Sequence, residues 1–415
     1  MVTRLANGVT VVTEPMDHLR SVSCGVWVKG GSAADPEKYA GMAHFCEHMA
    51  FKSTENYSAG ELAEQFDAMG GYVNAYTAKL LTCYYCTMLD KHVTRGLELL
   101  ADMVLHPAYL DEELETERRV ILEEIAMCED SPEDLVMARL SEGVWRDSVL
   151  GREILGKAET VKRITAESMR EYQQTNYVGA NIVISASGHL DEQAFLADCE
   201  RLFGQVAKGV AVEDSENGAY ACVCALTEKD IEQNHLCIGF PSYPMFDERR
   251  YAVSVLSALT GGTMSSRLFR SIREQEGLAY NISSYLSPYL HTGLFCIYTA
   301  LAPASESKCL TRIRQELDDI RQNGFTDAEV ARAKEQLASG MILDLESSSA
   351  HMKMRAKREI YGMGETDADE ILRRIDGVTA EQVRDVAQEI LDYVNMSISV
   401  VGHTQDEDFY RSFFS

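Results

Sequence analysis

The chain has 415 residues, of which 46% are hydrophobic and 25% charged, a composition ordinary for a globular protein of two or more domains. With 65 acidic against 39 basic residues its net charge is −26, which disfavours nucleic acid and anionic lipid as partners. No apolar run approaches the roughly 18 residues of a membrane span, so we expect no membrane segment. Eleven cysteines without a disulfide-framework spacing, and an opening strand pattern in place of a leader, predict reduced thiols and a cytoplasmic location.

The first half of the chain alternates between strand and helix patterns. Alternation with period two predicts strands, and an apolar period of about 3.6 residues predicts helices. The predicted strands are Leu5–Val12 (entered through an Asn-Gly turn), Ser21–Val28, Tyr72–Thr77, Leu81–Met88 and Ala180–Gly188. The predicted helices lie within Gly41–Thr54, Ser58–Gly70 (with Ser58 as N-cap), His92–Leu105, Leu110–Met127, Pro132–Trp145, Thr165–Asn176 and Asp191–Leu202.

A stretch of small, acidic and Gly residues without helical period, Ala207–Thr227, is the predicted linker, centred near residue 215. The order of elements then restarts. The predicted strands here are Asn234–Phe240, Ala279–Leu286 and Gly293–Thr299, and the predicted helices are Arg250–Leu259, Leu268–Glu276, Glu306–Asn323 and Thr326–Leu345.

The two halves align where Leu110–Glu115 and Phe325–Val330 each open a long helix after a shorter one, which predicts an internal duplication of about 200 residues. We therefore predict an α/β (α+β) protein of two homologous domains, residues 1–206 and 228–415, joined by a linker at 207–227. Each domain is predicted to be a mainly antiparallel sheet packed by helices on one side.

The stretch Gly41–Thr54 reads G-M-A-H-F-C-E-H-M-A-F-K-S-T. His44 and His48 are four residues apart, so on a helix their imidazoles lie on one face, and Glu47 points to the same side. Two neutral imidazoles suit a zinc ion, and a neighbouring carboxylate can take a proton from the attacking water. The pattern is H-x-x-E-H, the inverted zincin motif. A solvated polar face is the alternative, but the apolar flanks indicate a largely buried helix, where ionisable groups need partners.

A catalytic zinc needs a third protein ligand and an open position. The acidic Leu110–Met127 helix offers several candidates, and spacing alone does not choose among Glu112, Glu113, Glu115, Glu117, Glu123 and Glu124. Glu117 and Glu124 are seven residues apart, two turns along one face, so both could point at the metal helix, one as ligand and one as the carboxylate that orients a ligand. A solvated acidic face is the alternative for each of them.

Two short cysteine spacings, Cys83-x-x-Cys86 and Cys222-x-Cys224, could each form half of a metal site. In the strand-like run around Cys83, however, residues three apart face opposite sides of the sheet. We therefore predict these cysteines to be core and edge residues.

The runs H-F-C-E-H-M-A-F-K-S-T, Y-V-N-A-Y-T and E-R-R-V-I-L-E-E-I-A-M resemble the pitrilysin/insulinase family of inverted-motif zinc metallopeptidases. Within that family the chain is most similar to the half-length bacterial members that resemble the β-subunit of the mitochondrial processing peptidase. The resemblance implies that one Zn²⁺ per chain is bound by His44, His48 and Glu124. It also implies that Glu47 is the general base and Glu117 a supporting acid.

The segment R-E-Q-E-G-L-A-Y, from Arg273 to Tyr280, resembles the R-x(6)-Y element of the same family. There the Arg and Tyr reach the substrate and the developing oxyanion, for which a guanidinium and a phenol are suitable donors. Asn74 and Ala75 occupy the positions where family members present a strand edge to the peptide. An ordinary surface Arg and a half-buried Tyr are the alternative for the first pair.

The chain departs from the family pattern at a few positions. Ser53 replaces the usual Gly, Leu80 stands where an acid is commoner, and Arg119 follows Arg118 in place of an acid. None is a ligand, so these changes concern substrate preference. Cys46 resembles the insulin-degrading members and predicts sensitivity to alkylating agents, although it lies opposite His44, on the side expected to face the core.

The resemblance implies a zinc-dependent endopeptidase that cuts unfolded peptides or presequence-like segments inside a dimeric chamber, most simply a homodimer. The alternative is a non-catalytic or partner-dependent subunit of a heteromeric, processing-peptidase-like complex. Retention of both the H-x-x-E-H motif and the Arg273–Tyr280 element favours the enzyme.

Overall fold

A computed structural model describes residues 1–213, 218–364 and 368–415. Of these, unit 1 comprises 1–126, 152–213 and 344–364, and unit 2 comprises 127–151, 218–343 and 368–415. Each predicted domain is one continuous stretch of the chain, whereas each compact unit is made of three separate stretches that alternate along the sequence. The centre of the predicted linker, near residue 215, lies outside the described residues.

The elements follow the chain in this order. The strands are β1 (Val2–Arg4), β2 (Thr10–Pro15), β3 (Ser21–Lys29), β4 (Tyr72–Thr77), β5 (Leu81–Leu89), β6 (Ile182–Gly188), β7 (Cys224–Glu228), β8 (Asn234–Ser242), β9 (Asn281–Pro288), β10 (Gly293–Leu301) and β11 (Ser397–Gly402). The helices are α1 (Met42–Met49), α2 (Ala59–Ala68), α3 (Val93–Leu105), α4 (Asp111–Asp130), α5 (Pro132–Val144), α6 (Ala158–Val161), α7 (Ala166–Asn176), α8 (Glu192–Phe203), α9 (Arg250–Ser257), α10 (Glu306–Asn323), α11 (Asp327–Asp344), α12 (Ser348–Tyr361), α13 (Ala368–Asp376), α14 (Ala380–Ile390) and α15 (Glu407–Ser412). Among the described residues, no helix combines the length and the apolar content needed to cross a bilayer.

Unit 1 is built on a sheet in the order β1-β2-β6-β3-β5-β4. All neighbouring strands are antiparallel except β2 and β6, which run parallel. Strand β4 ends the sheet, and no further strand lies beside it among the described residues. The predicted mainly antiparallel sheet is thus confirmed, with the edge strand immediately following α2.

Both faces of this sheet are covered. Helices α1, α3, α7 and α8 pack on one face, where Cys86 of β5 lies in the main core. Helix α12 packs on the other face, with Met352 against Trp27 and Cys83. The prediction of helices on one side therefore holds for most of the helices, and α12 is the exception. Cys83 and Cys86 are both buried on opposite faces, as their strand spacing predicts.

Unit 2 repeats this plan. Its sheet has the order β7-β11-β8-β10-β9, with β7 and β11 parallel and the other pairs antiparallel, which matches β2-β6-β3-β5-β4 strand for strand. Helix α5 covers one face of it, where Val136 and Leu140 pack with Cys237 and Cys296. The shared strand order supports the predicted duplication and confirms the fold class.

Some predicted boundaries are wrong. Leu5–Val12 is not one strand, because β1 and β2 form a hairpin through Asn7-Gly8, and Gly8 has φ 98°, a value suited to glycine. Residues 224–227 of the predicted linker belong to β7. The predicted helix Arg250–Leu259 ends as α9 at Ser257 and continues as a π-helical turn, Ala258–Gly262.

The second predicted helix of unit 2 is also π-helical, over Phe269–Gln275. Arg267, just before it, contacts Asp319 of α10 at 2.7 Å and Glu329 of α11 at 3.0 Å. Burial raises the pKa of Glu329, but hydrogen bonds from Arg267 and Thr326 outweigh this effect and bring the pKa to about 2. This ion pair therefore anchors the segment that carries Arg273.

We expect Glu329→Gln to lower the free energy of unfolding at neutral pH. The folded-state pKa of Glu329 lies below the unfolded value of about 4.3. Its stabilising contribution is therefore present above that value and is lost as the pH falls towards 2. Urea denaturation of the wild type, the variant and the exposed-site control Glu335→Gln at about pH 7 and about pH 2.5 measures this loss. An equal wild-type-to-Glu329→Gln difference at both pH values would contradict the ionic contribution.

Candidate metal centre

Helix α1 presents its polar residues because its apolar face is buried in unit 1. Met42, Phe45 and Met49 lie in the main core, each at most 1% exposed. The helix is entered through Gly41 at φ 95°, where a Cβ atom would lie only 2.4 Å from the carbonyl oxygen of Leu155. This entry fixes the direction of α1, and its remaining face carries the motif residues.

The two histidines of α1 meet one carboxylate of α4. His44 Nε2 lies 3.7 Å, and His48 Nε2 3.5 Å, from the same Oε2 atom of Glu124. Zinc bonds of about 2.0–2.1 Å in tetrahedral geometry place ligand atoms about 3.3 Å apart, close to what is found here. In the part of the chain that the structure describes, this trio is the one group of three or more His, Cys, Asp or Glu side chains placed to hold a metal ion.

The chemistry of His44 also fits a metal ligand. Burial, together with the neighbouring His48, lowers the pKa of His44 to about 4, so its imidazole is neutral at physiological pH. Its Nδ1 atom is buried and has no hydrogen-bond partner, while Nε2 faces Glu124. The donor set of two imidazoles and one carboxylate matches catalytic zinc sites.

Glu117 is the other carboxylate of α4 that lies near the histidines. It contacts the ring of His48 and lies away from the point where His44, His48 and Glu124 converge. Its Oε2 lies 3.6 Å from Nδ1 of His48, and its Oε1 lies 2.5 Å from Nζ of Lys52. The first contact is longer than a hydrogen bond, and it places Glu117 beside the ring of His48, on the side away from Glu124. Glu124 therefore lies with the two imidazoles and Glu117 lies behind one of them, and their roles as ligand and supporting acid stay predictions.

The other acidic candidates of α4 lie elsewhere. Glu112, Glu115 and Glu123 are exposed. Glu113 accepts hydrogen bonds from the hydroxyl of Ser53 at 2.6 Å and from its backbone N–H at 3.1 Å. Ser53, a departure from the family pattern, thus joins the end of the metal helix to α4, one turn before the Lys52–Glu117 pair.

Glu47 faces the edge strand of the sheet. Its carboxylate accepts a hydrogen bond of 2.5 Å from the hydroxyl of Thr77, the last residue of β4. Burial raises the pKa of Glu47, against the opposing effects of Thr77 and His48. On the same strand Asn74 is exposed, and its Oδ1 accepts a hydrogen bond from the N–H of Ala75 at 2.8 Å. The structure therefore brings the predicted base and the predicted peptide-binding residues onto neighbouring elements.

Arg273 and Tyr280 belong to unit 2 and lie together. The guanidinium carbon of Arg273 is 4.8 Å from the ring centre of Phe269 and 5.0 Å from that of Tyr280. Tyr280 is 77% exposed. Cation–π contacts of this kind hold an Arg without removing its hydrogen-bond donors. The relation of this pair to the metal trio stays a prediction.

Cys46 is 3% exposed and belongs to the main core of unit 1. Burial raises the pKa of its thiol above the usual range. Because the thiolate is the reactive form, we expect alkylation of Cys46 to be slow, in contrast to the sensitivity that the resemblance suggested.

Sequence reasoning missed three residues that hold the site, Asp35, Lys52 and Thr77. Lys52 lies four residues after His48, a spacing that indicates one face of a helix, although α1 itself ends at Met49. Thr77 lies two residues after Ala75, on the same side of a strand, which would have placed it near the base. Asp35 precedes the helix by several residues and carries no comparable spacing signal.

Fold and site together define a two-unit α/β protein with a metal-binding trio on an inverted H-x-x-E-H motif. The family model of insulinase (peptidase family M16) matches residues 10–158, and that of the peptidase M16 inactive domain matches residues 163–337. The uncharacterized zinc protease YmxG of Bacillus subtilis is 38% identical over 400 residues, covering 96% of this chain and 97% of the relative. The chain belongs to the insulinase (M16) peptidase family.

Solved structures agree with the fold. A protein of Pseudomonas fluorescens described as a peptidase M16 inactive domain is 21% identical and superposes with a TM-score of 0.91, covering 98% of each chain. A chain of complex III2 from Candida albicans is 18% identical with a TM-score of 0.85, covering 100% of this chain and 99% of its own. At these identities the likeness concerns the fold alone.

We expect Glu124→Gln to lose zinc, because a neutral amide is a poor replacement for the ligand carboxylate. Glu123→Gln, which changes the exposed neighbour on the same helix, is the matched control and should bind zinc like the wild type. Metal analysis of the purified proteins after equilibration with zinc measures the difference. Full zinc occupancy in Glu124→Gln would remove this residue from the ligand set.

Proposed function

We propose that this chain is a zinc-dependent endopeptidase that hydrolyses peptide bonds in unfolded peptides. The observation that carries the proposal is the convergence of His44, His48 and Glu124 on one point, with Glu47 on the same helix face. The family membership and the zinc-protease name of the Bacillus subtilis relative support it.

The trio would hold one zinc ion per chain. When bound, zinc polarises a carbonyl and lowers the pKa of a coordinated water to about 7. Glu47 accepts the proton of the attacking water and delivers it to the leaving amine. The Thr77 hydroxyl holds one oxygen of Glu47, so the carboxylate keeps a fixed direction during both transfers. Glu117 keeps the ring of His48 turned towards the site.

The substrate would bind as an added strand along β4. An edge strand offers backbone donors and acceptors to an extended peptide, with little demand on its side chains. Asn74 and Ala75 lie at the centre of this edge, three and two residues before Thr77. A peptide paired there lies next to Glu47, and this placement requires an unfolded segment.

Arg273 and Tyr280 would bind the substrate, as the resemblance implies. Both groups carry donors suited to a substrate carbonyl and to the oxyanion that forms from it. Their contact fixes the guanidinium beside the phenol, so that the pair acts as one unit. The net charge of −26 favours basic, presequence-like segments among the possible substrates.

The proposed assembly is a homodimer that encloses the substrate, in the cytoplasm. Support for this assembly comes from the resemblance, in which full-length relatives carry four such domains and a two-domain chain reaches the same arrangement by pairing. The alternative, a non-catalytic or partner-dependent subunit of a processing-peptidase-like complex, is suggested by the fold likeness to a chain of complex III2. Gel filtration combined with an activity assay separates the two.

We expect Glu47→Gln to retain zinc but to lose turnover of a basic, unstructured fluorogenic peptide, because the amide cannot accept the proton. Glu64→Gln, at an exposed position of α2, serves as control. Wild-type activity should disappear with a chelator and return with added zinc. Zinc binding without any cleavage by the wild type would favour the subunit alternative, and substantial turnover by Glu47→Gln would reject the base.

We expect Tyr280→Phe to lower kcat by about 10²–10³-fold with little change in KM, the size found for loss of one oxyanion donor. The phenyl ring keeps the contact with Arg273, so only the hydroxyl is tested. Steady-state kinetics and zinc content of the variant measure the effect. A kcat equal to that of the wild type would exclude Tyr280 from the reaction.

A further inference from the structure

Asp35 is a buried carboxylate that precedes the metal helix in the chain, and it is only 4% exposed. Its two oxygens accept hydrogen bonds from two backbone N–H groups at the start of α1. The N–H of Gly41 donates to Oδ2 at 2.9 Å, and that of Ala43 donates to Oδ1 at 3.0 Å. The hydroxyl of Tyr172 lies beside this carboxyl group and donates a hydrogen bond to the carbonyl of Gly31 at 3.4 Å.

This arrangement replaces the cap that α1 lacks. The first N–H groups of a helix have no partner within the helix and are usually satisfied by the side chain of the N-cap residue. The N-cap of α1 is Gly41, which has no side chain, and a larger residue would collide with the backbone at Leu155. Asp35 supplies the missing acceptors from outside the helix.

The two histidine ligands are held in different ways. The ring of His48 contacts Glu117 through Nδ1. His44 is 8% exposed and its Nδ1 has no hydrogen-bond partner, so no hydrogen bond holds its ring through that atom. Its place therefore depends on the backbone of the first turn, where Ala43, the residue directly before it, is bound to Asp35.

We propose that Asp35 is a positioning residue that sets His44 for metal binding by fixing the first turn of α1. It acts through the backbone and touches neither metal nor substrate. The inference rests on the proposed function only in assuming that the trio binds zinc. Without the hydrogen bonds to Asp35 the first turn of α1 can shift. Zinc binding must then restore the turn, and the free energy that this requires lowers the affinity for zinc.

Asp35→Asn tests the inference directly. The amide keeps one acceptor but turns an NH₂ group towards the other backbone N–H, so one of the two bonds is lost at nearly constant volume. We expect zinc affinity to fall about 10–100-fold, the range typical when a group that supports a ligand is removed. Competition with a chromophoric chelator measures the affinity, and circular dichroism of the metal-free protein reports its folding.

Two controls separate positioning from general stability. Asp191→Asn makes the same change at the cap of α8, where the carboxylate accepts from Gln193 and Ala194 through one oxygen that Asn retains. Ser58→Ala removes the capping box of α2 and lowers the melting temperature. Both caps belong to unit 1 and cap helices other than α1, so zinc affinity should be unchanged in both variants.

The outcomes are distinct. Wild-type zinc affinity in Asp35→Asn, or an equal loss in either control, would overturn the positioning role while leaving the proposed function intact. Absence of zinc binding by the wild type would overturn both. If Asp35→Asn does not fold, Tyr172→Phe removes the hydroxyl that lies beside Asp35 and donates to Gly31, and it should weaken zinc binding by a smaller factor. Wild-type affinity in that variant would then overturn the role.

Discussion

The contact between α1 and α4 is the constraint on which the site depends. His44 and His48 come from one helix and Glu124 from the other, so their convergence requires a fixed register between the two helices. Lys52 and Ser53, at the end of α1, bind Glu117 and Glu113 one turn apart on α4. A change of one residue in this register would carry Glu124 about 100° around its helix and away from both imidazoles.

The same contact gathers polar groups that are costly to bury. His44 and Glu117 are each less than 9% exposed, and each carries a buried atom without a hydrogen-bond partner. Such groups are tolerated where a charge or a metal compensates for lost hydration. A divalent cation held between His44, His48 and Glu124 would supply this compensation.

Much of this could be predicted from local pattern. The spacing of His44 and His48 alone placed both rings on one helix face, and strand alternation placed Cys83 and Cys86 on opposite faces. The third ligand could not be chosen from spacing, because several carboxylates of α4 satisfy the same periodicity. It followed only from the resemblance, and the geometry agrees with that choice. Asp35 was not predicted because its partners are backbone N–H groups, which give no signal in the spacing of side chains.

Helix α5 lies in the first half of the chain but belongs to unit 2, and α12 lies in the second half but belongs to unit 1. No sequence signal predicted this assignment either. An amphipathic pattern shows that α5 and α12 each bury one face, but not which sheet receives it. The elements after residue 345, including β11 in the middle of the second sheet, were likewise not predicted, although β11 occupies the place that β6 occupies in the first.

X-ray absorption spectroscopy at the zinc edge of the purified protein tests the central claim most directly. The account predicts four light-atom ligands at about 2.0–2.1 Å, two of them with the scattering of imidazole. A sulfur ligand at about 2.3 Å would contradict it, because it would place the metal at cysteines and not at His44, His48 and Glu124.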